Sequence, residues 1–204
     1  VRGRLLVTTG RLLGPDHTDR LALKITAAAL DEMREAFQLF GPFESRRMVT
    51  VFGSARTKTD DPLYRQADAV AAALAAEGWM VITGAGPGLM QAAAEGAGPE
   101  QSIGISIRLP FEEAPSDTLA EPNVVTMKYF FTRKLMLMKE SKGFVSLPGG
   151  FGTLDETFEL LTLQQTGKAE PMPIVLLDAP GGTFWQGLRR YIDEHMVPSG
   201  VISP

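Results

Sequence analysis

Residues 48–97 read MVTVFGSARTKTDDPLYRQADAVAAALAAEGWMVITGAGPGLMQAAAEGA, and this stretch decides the fold. MVTVFG (48–53) and WMVITG (79–84) are short apolar runs without polar alternation, and each leads through small residues into a helical pattern, at 61–78 and 87–97. Strands with no polar face, separated by helices, belong to a parallel sheet covered on both sides. The alternation continues outward. SIGISIRL (102–109), NVVTMK (123–128), GFVSLP (143–148) and PIVLLD (173–178) read as strands. YFFTRKLMLMKES (129–141), TLDETFELLTLQQTG (153–167) and TFWQGLRRYIDEHM (183–196) read as helices. The expected class is α/β, a doubly wound parallel sheet flanked by helices, over residues 46–204.

Residues 1–45 form an N-terminal extension with one expected amphipathic helix in TDRLALKITAAALDEMREAFQLF. Leu30, Met33, Phe37 and Phe40 recur at helical spacing, Thr18 or Asp19 can cap the start, and Gly41-Pro42 stops the run. This helix is expected to pack on the main domain or on a partner subunit.

Composition narrows the chemistry. With 204 residues, 44% of them hydrophobic, and 22% charged, the chain falls among globular proteins of one domain. A net charge of -4 lacks the basic footprint of a nucleic-acid binder. The absence of cysteine excludes disulfides, thiolate metal sites and cysteine nucleophiles. The two histidines, His17 and His195, stand near opposite ends of the sequence, so no metal site is expected. No apolar run approaches membrane-spanning length, and the leader is too polar for a signal peptide, so a cytoplasmic address is expected with no membrane partner.

In a sheet of this kind, ligands bind beyond the carboxyl ends of the strands. Three strand ends carry small residues: Gly53-Ser54-Ala55, Gly84-Ala85-Gly86-Pro87-Gly88 and Pro148-Gly149-Gly150-Phe151-Gly152-Thr153. Glycines at 149, 150 and 152 can take positive φ and leave no side chain between backbone and ligand, while Thr153 is expected to begin a helix with free N–H groups. Such a loop is a phosphate cradle. Glu156 is expected in the first helical turn, pointing towards a sugar or an attacking water. TGAGPG fails as a dinucleotide fingerprint, because Leu89 replaces the third glycine and the next strand ends at Arg108-Leu109 without an acidic residue. An NAD-dependent oxidoreductase is thereby disfavoured. In the helix at 129–141, Phe130, Leu137, Phe131 and Leu135 are expected as core contacts, and Arg133 and Lys134 are candidates to reach the site.

VFGSAR (51–56), TGAGPGLMQAAAEGA (83–97), LPFEE (109–113), YFFTRK (129–134) and LPGGFGTLDE (147–156) together resemble the LONELY GUY family, also labelled lysine decarboxylase-like. The resemblance covers about residues 46–197, and Pro148, Gly149, Gly150, Gly152, Thr153 and Glu156 meet every fixed position of its P-G-G-x-G-T-x-x-E pattern. The chain departs from the family at Ala85, where members commonly carry a third successive glycine, and in the long leader.

The resemblance implies a Rossmann-like domain that hydrolyses the N-glycosidic bond of a nucleoside 5′-monophosphate, AMP or a cytokinin riboside 5′-monophosphate, to free base and ribose 5-phosphate. It implies Arg133 and Glu156 as the catalytic pair. It implies substrate binding by Gly53, Ser54, Gly84, Gly86, Gly88, Met90, Glu113, Lys134, Pro148, Gly149, Gly150, Gly152, Thr153 and Thr162. No metal or organic cofactor is implied, and the partner implied is a second copy of the chain, as a homodimer or higher homo-oligomer. Arginine stays charged and so holds the nucleotide rather than donating a proton. Decarboxylation is disfavoured, since Lys134, Lys139 and Lys142 offer no distinctive context for a pyridoxal phosphate Schiff base. The alternative is a noncatalytic binding or carrier protein for a nucleotide or phosphorylated cofactor.

Overall fold

The computed structural model describes residues 1–14, 16–109 and 121–202. Among these residues there are six strands, β1 (Met48–Phe52), β2 (Met80–Thr83), β3 (Ser102–Ile107), β4 (Val124–Met127), β5 (Phe144–Ser146) and β6 (Ile174–Leu176). They form one all-parallel sheet in the order β4-β3-β2-β1-β5-β6. Its helices are α1 (Arg2–Leu13), α2 (Arg20–Phe40), α3 (Pro62–Ala76), α4 (Leu89–Ala97), α5 (Phe130–Lys139), α6 (Phe151–Gln165) and α7 (Phe184–Tyr191). All six apolar runs read as strands are strands, and the α/β class stands.

The unbroken apolar character of the strands follows from the two faces they serve. Along β1, Met48 and Phe52 join one core while Val49 and Val51 join the other; β2 divides Met80 and Ile82 from Val81, and β5 divides Phe144 from Val145. Side chains alternate across a strand, so covering both faces requires apolar residues at odd and even positions alike. Ala67, Ala71 and Ala75 of α3 and Ala92, Ala93 and Ala97 of α4 pack on one face. Alanine at these positions brings the helices close to the sheet and to each other. Met136 and Leu137 of α5, Leu160 of α6 and Phe40 of α2 cover the other face.

The chain builds outward from β1 to β4, then returns to place β5 on the free side of β1. The helix after β1 packs on one face and the helix after β5 on the other, so the crevice between these strands is the switch point of the fold.

The leader differs from its reading in two respects. Residues 2–13, which show no pattern, form α1, a helix with no buried residue. In α2, capped as read by Asp19, which accepts from the amides of Leu21 and Ala22, the buried positions are Ala29, Glu32, Ala36 and Phe40. Leu30 and Phe37 of the large apolar stripe are exposed. The face that carries Ala29, Glu32, Ala36 and Phe40 turns inward, where the helix packs against β4 and α5.

Candidate active site

Backbone packing knits three strand ends together. Beyond β1, the Ser54 amide donates to the Pro148 carbonyl at 3.2 Å, and the Ser54 carbonyl accepts from the Leu89 amide at 2.9 Å. Glycine is required at each approach. A Cβ on Gly53 would stand 2.7 Å from Leu89 Cβ, one on Gly88 would strike the Ser54 carbonyl and Ala55, and one on Gly149 would strike the Thr153 hydroxyl. Gly88 also holds φ at 69°, in the left-handed region.

Gly150 and Gly152 differ, because a Cβ on either would meet nothing within 4 Å. Their backbone faces open space at the start of α6, where no side chain caps the helix. The first-turn N–H groups and the positive end of the helix dipole make this an anion-binding geometry. Two details of the sequence reading are corrected. The helix begins at Phe151, so Glu156 lies in its second turn. None of Gly149, Gly150 and Gly152 has positive φ; the missing side chain lets Thr153 approach at Gly149 and leaves the backbone open at Gly150 and Gly152.

Arg133 reaches this crevice from α5. Its Nε donates to the Ile105 carbonyl within β3 (2.8 Å), and its Nη1 donates to Glu156 Oε1 at 3.0 Å. Nη2 occupies the space that a Cβ on Gly84 would fill. The two side chains are only 10% and 11% exposed. Burial raises the Glu156 carboxyl above the usual glutamate range, and the positive charges of Arg133 and Lys134 only partly oppose it. Met90 lies over the β2 loop, its Sδ 2.7 Å from a Cβ built on Gly84 and its Cε 2.7 Å from one on Gly86. Ala85 between them is buried with φ 55°.

The structure thus brings together Gly53, Ser54, Gly84, Gly86, Gly88, Met90, Arg133, Pro148, Gly149, Gly150, Gly152, Thr153 and Glu156. Lys134 turns aside, with its ammonium 2.7 Å from Asp155 and 2.8 Å from Glu159. Burial works to lower its pKa, but these two partners outweigh it and hold the ammonium above the lysine range. Thr162 is exposed, nine residues beyond Thr153 on α6, and donates to the Phe158 carbonyl. At about 1.5 Å rise per residue it stands more than two turns from the glycine loop. Glu113 lies outside the described residues.

Leu137 is buried as expected, but Phe130, Phe131 and Leu135 are 55%, 55% and 47% exposed. They form an apolar face with Lys134, Asp155, Glu159 and Leu163 between α5 and α6. The inward positions of α5 are Thr132, Arg133, Met136, Leu137 and Met138. Sequence reading also missed the Ile105 carbonyl, which leaves no mark in residue type. Among the described residues, no group of three or more His, Cys, Asp or Glu could hold a metal ion, and no helix is long and apolar enough to cross a membrane.

The family described as "Possible lysine decarboxylase" matches residues 88–204. The chain is 32% identical to the cytokinin riboside 5′-monophosphate phosphoribohydrolase of Mycobacterium marinum, covering 78% of this chain and 84% of that one. It is also 32% identical to the protein of the same name in Mycobacterium tuberculosis, over 74% of this chain and 79% of that one. Among solved structures, the Moco carrier protein of Chlamydomonas reinhardtii superposes with a TM-score of 0.51 at 23% identity, covering 74% of this chain and 86% of that one. That likeness concerns the fold alone.

Proposed function

The chain belongs to the LONELY GUY, or lysine decarboxylase-like, family, and from that premise we propose that it is a phosphoribohydrolase releasing the base from a nucleoside 5′-monophosphate, AMP or a cytokinin riboside 5′-monophosphate. The observation that carries the reading is the buried Arg133–Glu156 pair beside the open backbone of Gly150 and Gly152. The start of α6 takes the phosphate monoester, which directs C1′ of the ribose towards Glu156. As the C1′–N bond breaks, its electron pair leaves with the base, which takes up a proton, and positive charge develops on the sugar. The Glu156 carboxylate stabilises that charge or accepts a proton from the water whose oxygen bonds to C1′. Arg133 favours the ionised form of Glu156, holds it in place and balances the charge of the bound nucleotide.

Removing two charges from water is costly, and buried pairs with a displaced pKa concentrate at functional sites. A noncatalytic carrier would use the glycine loops but give this pair no task. A Schiff-base decarboxylase fits less well still. It needs a neutral lysine amine, whereas Lys134 is clamped as a cation by two carboxylates and Lys139 pairs with Glu140.

The reading includes a second copy of the chain over the exposed Phe130, Phe131 and Leu135 face, since a contiguous apolar patch rimmed by charges is typical of a protein interface. The test of function is chromatography of the free base after incubation with AMP, other nucleoside monophosphates, nucleosides and a prenylated AMP. Base release from monophosphates, abolished in Glu156→Gln with nucleotide binding retained, is expected. Tight binding with no release from any of them would establish the carrier instead.

A further inference from the structure

Glu32 belongs to the leader, outside the family-matched residues 88–204, yet it is 8% exposed and buried against the catalytic domain. Its carboxylate accepts from the Lys128 amide at 2.9 Å, the Tyr129 amide at 3.5 Å and the Thr132 hydroxyl. Two of these donors are the amides that lead into α5, the second of them that of its N-cap residue, and the third is a hydroxyl in its first turn. That helix has no acidic residue in its first turn, and its N-cap, Tyr129, makes no side-chain capping bond. Helix starts leave amide hydrogens unsatisfied and carry partial positive charge, which a carboxylate ordinarily answers from within the same segment. Here it comes from a helix nearly a hundred residues earlier.

Arg133 follows Thr132 directly, and its own amide makes the opening bond of the helix, to the Tyr129 carbonyl at 3.2 Å. The start of α5 therefore sets where the Arg133 side chain originates, while the Ile105 carbonyl and Glu156 set where it ends. We propose that Glu32 is a positioning residue for the active site: by capping α5 from α2, it fixes the turn from which Arg133 reaches Glu156. The proposal rests on the phosphoribohydrolase reading for its kinetic consequences and on the capping geometry alone for its structural ones. It also assigns the leader a task in catalysis, that of a strut behind the catalytic arginine.

The test uses the full chain and AMP. Glu32→Ala is expected to lower kcat at least tenfold with less than a threefold change in KM, and Glu32→Gln, which keeps an acceptor, to recover most of the loss. In an Arg133→Lys background the same Glu32→Ala change should alter kcat less than twofold, because its effect runs through the guanidinium. Equal losses in both backgrounds would mark general destabilisation and overturn the proposal, as would undiminished kcat in Glu32→Ala. Should the alanine variant not fold, Glu32→Asp carries the test, with reduced kcat expected and wild-type kcat fatal. Independently of turnover, the amides of Lys128 and Tyr129 should exchange with solvent faster in the variant, and unchanged exchange refutes the cap. A wild-type chain that releases no base defeats the phosphoribohydrolase reading, while this exchange measurement still decides whether Glu32 holds α5.

Discussion

Arg133 Nη2 sits in the space that a side chain on Gly84 would occupy, so the glycine at the end of β2 is the seat of the arginine that pairs with Glu156. Gly84→Ala should therefore displace a clamped guanidinium while leaving the sheet intact. We expect a folded protein with thermal stability close to wild type and kcat/KM lowered about a hundredfold, which at about 1.4 kcal/mol per decade is roughly 2.8 kcal/mol of transition-state stabilisation. Gly96→Ala is the contrasting control, because its Cβ would strike the Asp68 backbone of the neighbouring helix. It should lower the melting temperature more than Gly84→Ala does. Wild-type kcat/KM in Gly84→Ala would show that the arginine seat does not matter.

Gly150 tests the cradle. Its Cβ direction is open, so Gly150→Ala costs the unliganded fold little. The added methyl intrudes where the phosphate is proposed to lie, and KM for AMP should rise at least tenfold with a smaller change in kcat. A KM equal to wild type would place the phosphate elsewhere.

The pH dependence follows from the burial of Glu156. Its carboxyl titrates above the usual glutamate range, so activity that needs the carboxylate is present above that raised pKa and is lost as pH falls through it. Lys134 opposes the shift, hence Lys134→Met should move the acid limb of kcat/KM to higher pH. Linkage has the opposite sign for stability. The folded chain binds this proton more tightly than the unfolded chain, so the Glu156 contribution favours folding at low pH and declines as pH rises through the raised pKa. An acid limb at or below the ordinary glutamate value would contradict the assignment.

The apolar face between α5 and α6 predicts an assembly. Phe131→Glu should convert a sedimenting dimer to monomer without unfolding it, because Phe131 is more than half exposed in the single chain. A wild-type chain that sediments as a monomer would remove the interface.

Ala85 carries φ of 55°, where a left-handed backbone costs a non-glycine residue about 1–2 kcal/mol. Its buried methyl packs with Ala94 and Val124, which returns about 0.8 kcal/mol, and glycine would add unfolded-state entropy worth about 0.4–1 kcal/mol. These effects nearly cancel. Ala85→Gly should therefore lie within about 1 kcal/mol of wild type in urea unfolding, whereas Ala85→Val, with a β-branched side chain in a left-handed position, should destabilise by more. A large stabilisation on Ala85→Gly would mean that the strain is uncompensated.

How much was legible depended on the range of the interaction. The strands could be read because two covered faces demand apolar residues on both, a condition each segment records in itself. The glycine loop was legible for the same local reason. The outward face of α5 was not. Phe130, Phe131 and Leu135 resemble core residues by type, but the inward direction is set by Thr132 and Arg133, whose partners lie on α2, β3 and α6.

The residues alone settled the α/β class, the succession of strands and the place of the glycine loop, since periodicity and glycine spacing act over a few neighbours. Tertiary structure alone decided that Lys134 turns to Asp155 and Glu159, that Arg133 is held by a backbone carbonyl, and that Glu32 closes the start of α5. Each of those outcomes joins groups distant in the chain, and a buried charge or unsatisfied N–H finds its partner only once the sheet has brought the elements together.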